Sequence, residues 1–163
     1  MVVATDTAHP FTYRLIRLIT YLLAGGVLAQ AFAYAVIYIS IYDSQAAGML
    51  AHLLIQYLAN YFLGASFIIL SVSNILIKRG LSDIKVIRIP SLALMLVIAT
   101  TSFLIIPRMD YLRETALLDG MPVMLSPFAS YFLILNNLTL LLLAAQIFYS
   151  SLIAWRLSKT QLT

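Results

Sequence analysis

Apolar and polar positions alternate slowly along this chain. Four long runs, Leu18–Tyr42, Gly48–Ile77, Ile89–Ile106 and Phe128–Trp155, contain no Asp, Glu, Lys or Arg. A helix needs about 20 mostly apolar residues to cross about 30 Å of hydrocarbon, so each run predicts one membrane-spanning helix. The breaks carry turn and stop signals. "YDSQ" closes helix one in a short turn at Asp43–Gln45, which makes helices one and two antiparallel neighbours. Helix two ends at "KRGLSD", where Lys78 and Arg79 suit the negative end of the helix dipole and Gly80 suits a left-handed stop. Helix three starts near Pro90 and, as the shortest span, is expected to end before Pro107. In the third loop, Pro107–Pro127, "PRMDYLRETALLDG" predicts a short interfacial helix with Pro107 first and Asp110 and Arg113 three places apart. Met109, Leu112, Ala116 and Leu117 share one side of it, so it lies flat on a bilayer or caps the bundle.

Composition agrees with this pattern. The 163 residues are 63% hydrophobic and 10% charged, with a mean hydropathy of +0.99, well past the roughly 45–50% apolar usage of soluble domains. Little chain is left for a separate soluble unit, so residues 1–163 read as one transmembrane domain. "AFA" at Ala31–Ala33 looks like a signal cleavage site, but the apolar run continues through "YAVIYISIY", so the first span reads as a retained anchor. There is no cysteine, which excludes disulfides and thiolate chemistry.

The net charge of +4 reads as a topology signal rather than as a nucleic-acid footprint. Eight of the ten basic residues fall on one predicted side: Arg14, Arg17, Lys78, Arg79, Lys85, Arg88, Arg156 and Lys159. Only Arg108 and Arg113 fall on the other. The positive-inside rule then places both termini in the cytoplasm, in a prokaryotic cytoplasmic membrane.

Polar residues within the spans mark the faces that meet protein, because hydrocarbon offers them no partner. His52, Gln56, Asn60, Gly64, Ser71 and Asn74 fall within about a third of helix two's circumference. Asn136, Thr139, Gln146 and Ser150 form a narrower arc on helix four. Helix one carries Gln30, Tyr34, Tyr38 and Tyr42 at four-residue spacing, with a small-residue track at Gly25, Ala29 and Ala33. These faces are expected to converge in one core. Tyr34, Tyr38, His52, Gln56 and Asn60 are the candidate lining of a slot for a lipid, quinone or pigment. A haem reading rests on His52 alone, since the other histidine, His9, falls on the opposite predicted side. Arg108, Asp110, Arg113 and Glu114 offer both signs of charge to a docking partner.

No acidic or basic residue lies deep in a span, so the usual coupling group of a pump is absent. Nucleophile-plus-base sets, phosphate loops and the HExxH motif are absent too, and no cofactor or metal site is implied. The chain is therefore not expected to be an enzyme.

"IIPRMDYLRE", followed by "SPFASYFLILNNLTLLLLAAQ", resembles the transmembrane protein 205-like family of small four-helix membrane proteins. That family has a proline and a Leu-Arg turn after helix three, then a phenylalanine and a polar-rich helix four. "LLAGGVLAQAFAYAVIY" and "AAGMLAHLLIQYLANYFLG" are similar to it in glycine and alanine placement. Leu135 and Asn136 stand where the family leads one to expect a histidine, so no role of that histidine carries over. The resemblance implies a fold and a topology, and no activity.

The expected fold is an all-α, four-helix transmembrane bundle with both termini inside. The expected function is a non-catalytic accessory subunit of a larger integral-membrane complex. The alternative is a free-standing carrier or binding bundle for a lipid-like or quinone-like molecule.

Overall fold

In the computed structural model, residues 10–78, 80 and 82–159 are described. All regular structure among them is helical: α1 (Pro10–Ser40), α2 (Ser44–Lys78), α3 (Arg88–Ala99), α4 (Ile106–Leu118) and α5 (Ala129–Lys159), with 3-10 turns at Ser82–Ile87 and Val123–Leu125. Four stretches are long and apolar enough to cross a membrane: Phe11–Ser40, Ser44–Lys78, Ile84–Leu118 and Ala129–Lys159. They form a ring in which α1 touches α2 and α5, and α3 touches α2 and α5.

The connections follow from local chemistry. Asp43 caps α2, its Oδ1 accepting the Gln45 N–H at 2.9 Å and its carbonyl the Ala47 N–H at 2.9 Å. Gly80, at φ +99°, is the left-handed stop after α2. Gly120, at φ +72°, ends α4: its N–H bonds the Leu117 carbonyl and the Met121 N–H reaches back to Ala116, the paired bonds of a Schellman ending. At the far end of the bundle, Tyr13 Oη donates to the Leu157 carbonyl and Arg156 Nη1 to the Val86 carbonyl. Those contacts place the start of α1, the end of α5 and the turn before α3 together. Arg14, Arg17, Lys85, Arg88, Arg156 and Lys159 therefore share one end of the ring.

The third helix does not stop before Pro107. α3, a six-residue π-helical segment (Thr100–Ile105) and α4 run on as one rod, so the segment expected as a separate interfacial helix continues the third span. Proline lacks an N–H and its ring crowds the carbonyl four residues back, which breaks an ordinary α-helix. The π segment widens the turn just ahead of it, and the Ile106 N–H reaches five residues back to Thr101. Pro107 then sits at the opening of α4, where a missing donor does little harm.

Unlike that of a water-soluble bundle, the outer surface is rich in large apolar side chains, and several polar groups lie within the apolar core. Phe32, Ile39, Tyr57, Leu104, Leu141 and Trp155 are exposed, whereas Gln30, His52, Arg113, Thr139 and Gln146 are buried. Core packing relies on small residues: α2 turns Ala47, Gly48, Ala51, Ala59, Ala65 and Ser66 inward, with Phe62 among them. This inward face corrects the expected polar seam. Of that seam only His52 is buried; Asn60 and Gly64 are exposed, and Gln56, Ser71 and Asn74 are half-buried. Backbones approach closely where side chains are small, so alanine and glycine take the contact surface and the amides are turned aside. Helix one differs in the same way. Gly25 and Ala29 of its small-residue track face outward, while the neighbouring Gly26 meets the Phe62 ring. The α5 arc does converge inward, with Thr139, Gln146 and Ser150 buried and Gln146 Nε2 donating to Thr101 Oγ1 at 3.3 Å.

Candidate functional site

Among the described residues the interior of the bundle holds one charged cluster, at the end opposite the basic one. Asp110 and Arg113 are three residues apart on α4 and therefore share a face. Gly48 and His52, four apart on α2, look back at them. Asp110 Oδ1 lies 2.8 Å from His52 Nδ1 and 3.2 Å from Arg113 Nη1. A carboxylate only accepts, so Nδ1 is the protonated ring nitrogen and both neighbours donate to the same oxygen. The 3.5 Å between Arg113 Nη1 and His52 Nδ1 then separates two donors held by their common acceptor.

The remaining walls come from the other two helices. The Arg113 guanidinium lies 5.4 Å from the centre of the Phe132 ring of α5. Tyr34 and Tyr38 of α1 stack obliquely at 5.0 Å, and Tyr34 packs into an apolar group with Ala51, Ile55, Ile106 and Leu143. Gly48 is where the cation gains its room. A Cβ there would lie 2.6 Å from Arg113 Nη2 and 3.4 Å from the Tyr38 hydroxyl. His52 and Arg113 are 1% and 4% exposed, and three of the cluster's features matter chemically: the shared Asp110 oxygen, and the buried His52 Nε2 and Arg113 Nε, neither of which has a hydrogen-bond partner.

Arg113 borders two clefts. One, of about 230 Å³, is lined by Tyr38, Gln45, Arg113, Val123, Phe132 and Asn136 among others. The second, of about 180 Å³, has Asp110 and Glu114 beside Arg113, with Met49, Leu53 and Leu117.

The sequence candidates are thus divided. Tyr38 reaches the larger cleft, Tyr34 is buried in the packed core, Gln56 is half-buried and Asn60 faces outward, so these four do not line one slot. Of the docking group, Arg108 and Glu114 are on the surface, with Arg108 near the rings of Tyr111 and Tyr131. Arg113 is buried, whereas Asp110, turned to it, stays partly open beside Glu114. Among the described residues no three His, Cys, Asp or Glu side chains gather to hold a metal ion; His9 lies outside them. The meeting of His52 with Asp110 and Arg113 was not anticipated from sequence, although the Asp-x-x-Arg spacing was the available signal.

Crowding at Gly48 gives a direct check. Gly48→Val pushes the guanidinium off Asp110 and is expected to lower stability by about 1–2 kcal/mol, within the range for overpacking. Measured by thermal unfolding in mild detergent, the same change on an Arg113→Ala background should cost clearly less, because the obstructed group is gone.

Compared with protein-family models, with curated proteins and with solved structures, the chain gives no match. Fold and site alone define its class: among the described residues, an all-helical fold with four helices long and apolar enough to cross a membrane, and a largely buried His–Asp–Arg cluster near one end.

Proposed function

We propose that this chain is a multi-pass integral membrane protein with both termini in the cytoplasm, acting as a non-catalytic subunit of a larger membrane complex. The gathering of basic residues at one end of the ring supports the orientation. The observation that carries the subunit reading is Asn60. It is the seventeenth of the 35 residues of α2, at mid-height, and it faces outward. An amide there has no water to turn to and is satisfied only by another protein surface. One turn on, Gly64 is also exposed, and a Cβ built on it meets nothing within 4 Å. That open place beside Asn60, flanked by Tyr57 and Tyr61, suits the close approach of a partner helix. Membership of the transmembrane protein 205-like family belongs to the same proposal, since the four-helix layout agrees with it.

A native gel of membranes solubilised in mild detergent tests the reading. The chain is expected in a band above its own 18.1 kDa and its detergent, and Asn60→Leu with Gly64→Leu should release it as a monomer of unchanged helicity. A chain that migrates alone before the substitutions, or a large band indifferent to them, would sink the proposal.

A further inference from the structure

Two clefts meet at Arg113, and their chemistry differs. The smaller one adds the carboxylates of Asp110 and Glu114 and repels an anion. In the larger one Arg113 is the sole charged residue; its other polar lining consists of Tyr38, Ser44, Gln45 and Asn136, all able to donate, and its walls are apolar. Arg113 is 4% exposed and spends Nη1 on Asp110, while its Nε donates to no group of the chain. A guanidinium is the side chain best matched to a carboxylate or phosphate.

We propose that the larger cleft binds the anionic head, carboxylate or phosphate monoester, of a membrane amphiphile, drawn by the Arg113 guanidinium and the donors beside it, with its tail leaving over Phe132 and Leu133. Asp110 positions the guanidinium rather than cancelling the site, because it bonds Nη1 and lines the smaller cleft. Size agrees: about 230 Å³ falls short of the roughly 300–1,000 Å³ of sites that engulf a whole ligand, and suits a head with its first few carbons. The inference is independent of the partner subunit proposed above, since the cleft lies on α4, α5 and the α1–α2 turn, away from Asn60.

Purified full-length chain in a neutral maltoside detergent is titrated with oleate, phosphatidic acid, phosphatidylcholine and inorganic phosphate, with thermal unfolding as the readout. Oleate or phosphatidic acid should raise the midpoint by several degrees, and phosphatidylcholine and inorganic phosphate should not. Arg113→Gln should weaken the response at least tenfold. Leu133→Trp, which narrows the cleft and leaves the guanidinium in place, should do the same and keeps the test decisive if Arg113→Gln fails to fold. Lys85→Gln with Arg88→Gln, at the basic end, should retain the response. A shift that survives both cleft variants, that vanishes with the Lys85 and Arg88 changes, or that inorganic phosphate reproduces at equal concentration would overturn the proposal.

Discussion

Asp110→Ala is expected to lower stability by about 2–3 kcal/mol, read as the loss in equilibrium unfolding of the purified chain in mild detergent. The substitution removes the oxygen that both His52 Nδ1 and Arg113 Nη1 share. It leaves a nearly buried guanidinium without a counter-charge and a buried ring N–H without an acceptor. Breaking a fully buried pair costs about 3–5 kcal/mol; the smaller figure applies because Asp110 keeps 34% of its side chain open. Converting both partners, Asp110→Leu with Arg113→Leu, should cost less than the single change, since no orphaned cation remains. A single substitution as mild as a surface change, within about 0.5 kcal/mol, would mean that solvent reaches Arg113 freely.

Phe62→Ala should have the larger effect, about 3–5 kcal/mol by the same measurement. Phe62 heads the fully buried side chains by size, at 1% exposure, and belongs to the main core with Leu23, Val27 and Ile69. Its ring occupies space that Gly26 of α1 leaves open, since a Cβ at Gly26 would lie 2.9 Å from Phe62 Cε1. In the membrane setting proposed above, contact of this kind rather than escape from water holds the pair together. The void would be enclosed by the core, so its lining loses dispersion partners outright. Adding Gly26→Leu to Phe62→Ala refills part of the space and should recover more than 1 kcal/mol.

The four helices were legible in the sequence because nothing but a helix suits such long uncharged runs, and Gly80 was legible because only a positive φ explains a glycine just after Lys78. Two features were not. Pro107 reads as a terminator from local rules, and its accommodation depends on the π-helical turn ahead of it, where the Ile106 N–H bonds five back to Thr101, for which Thr100–Ile105 carries no compositional sign. Asp110 and Arg113 consequently read as part of a separate interfacial helix, and the pairing with His52 was lost with them. The seam on α2 failed for a different reason. Polar side chains do report contact with protein, but Asn60 is turned away from the other three helices, and periodicity alone does not say which neighbour a face meets.

The π-helical segment has one more consequence, for angular phasing. Leu94 and Arg113 are both buried and lie nineteen positions apart on the same rod. At about 100° per residue, an uninterrupted α-helix would set them about 100° out of line. A single residue absorbed by the wider turn restores the azimuth, so that Leu94 and Arg113 look into the same interior. The ionic cluster thus exists because this rod is one residue longer than a plain α-helix of its height.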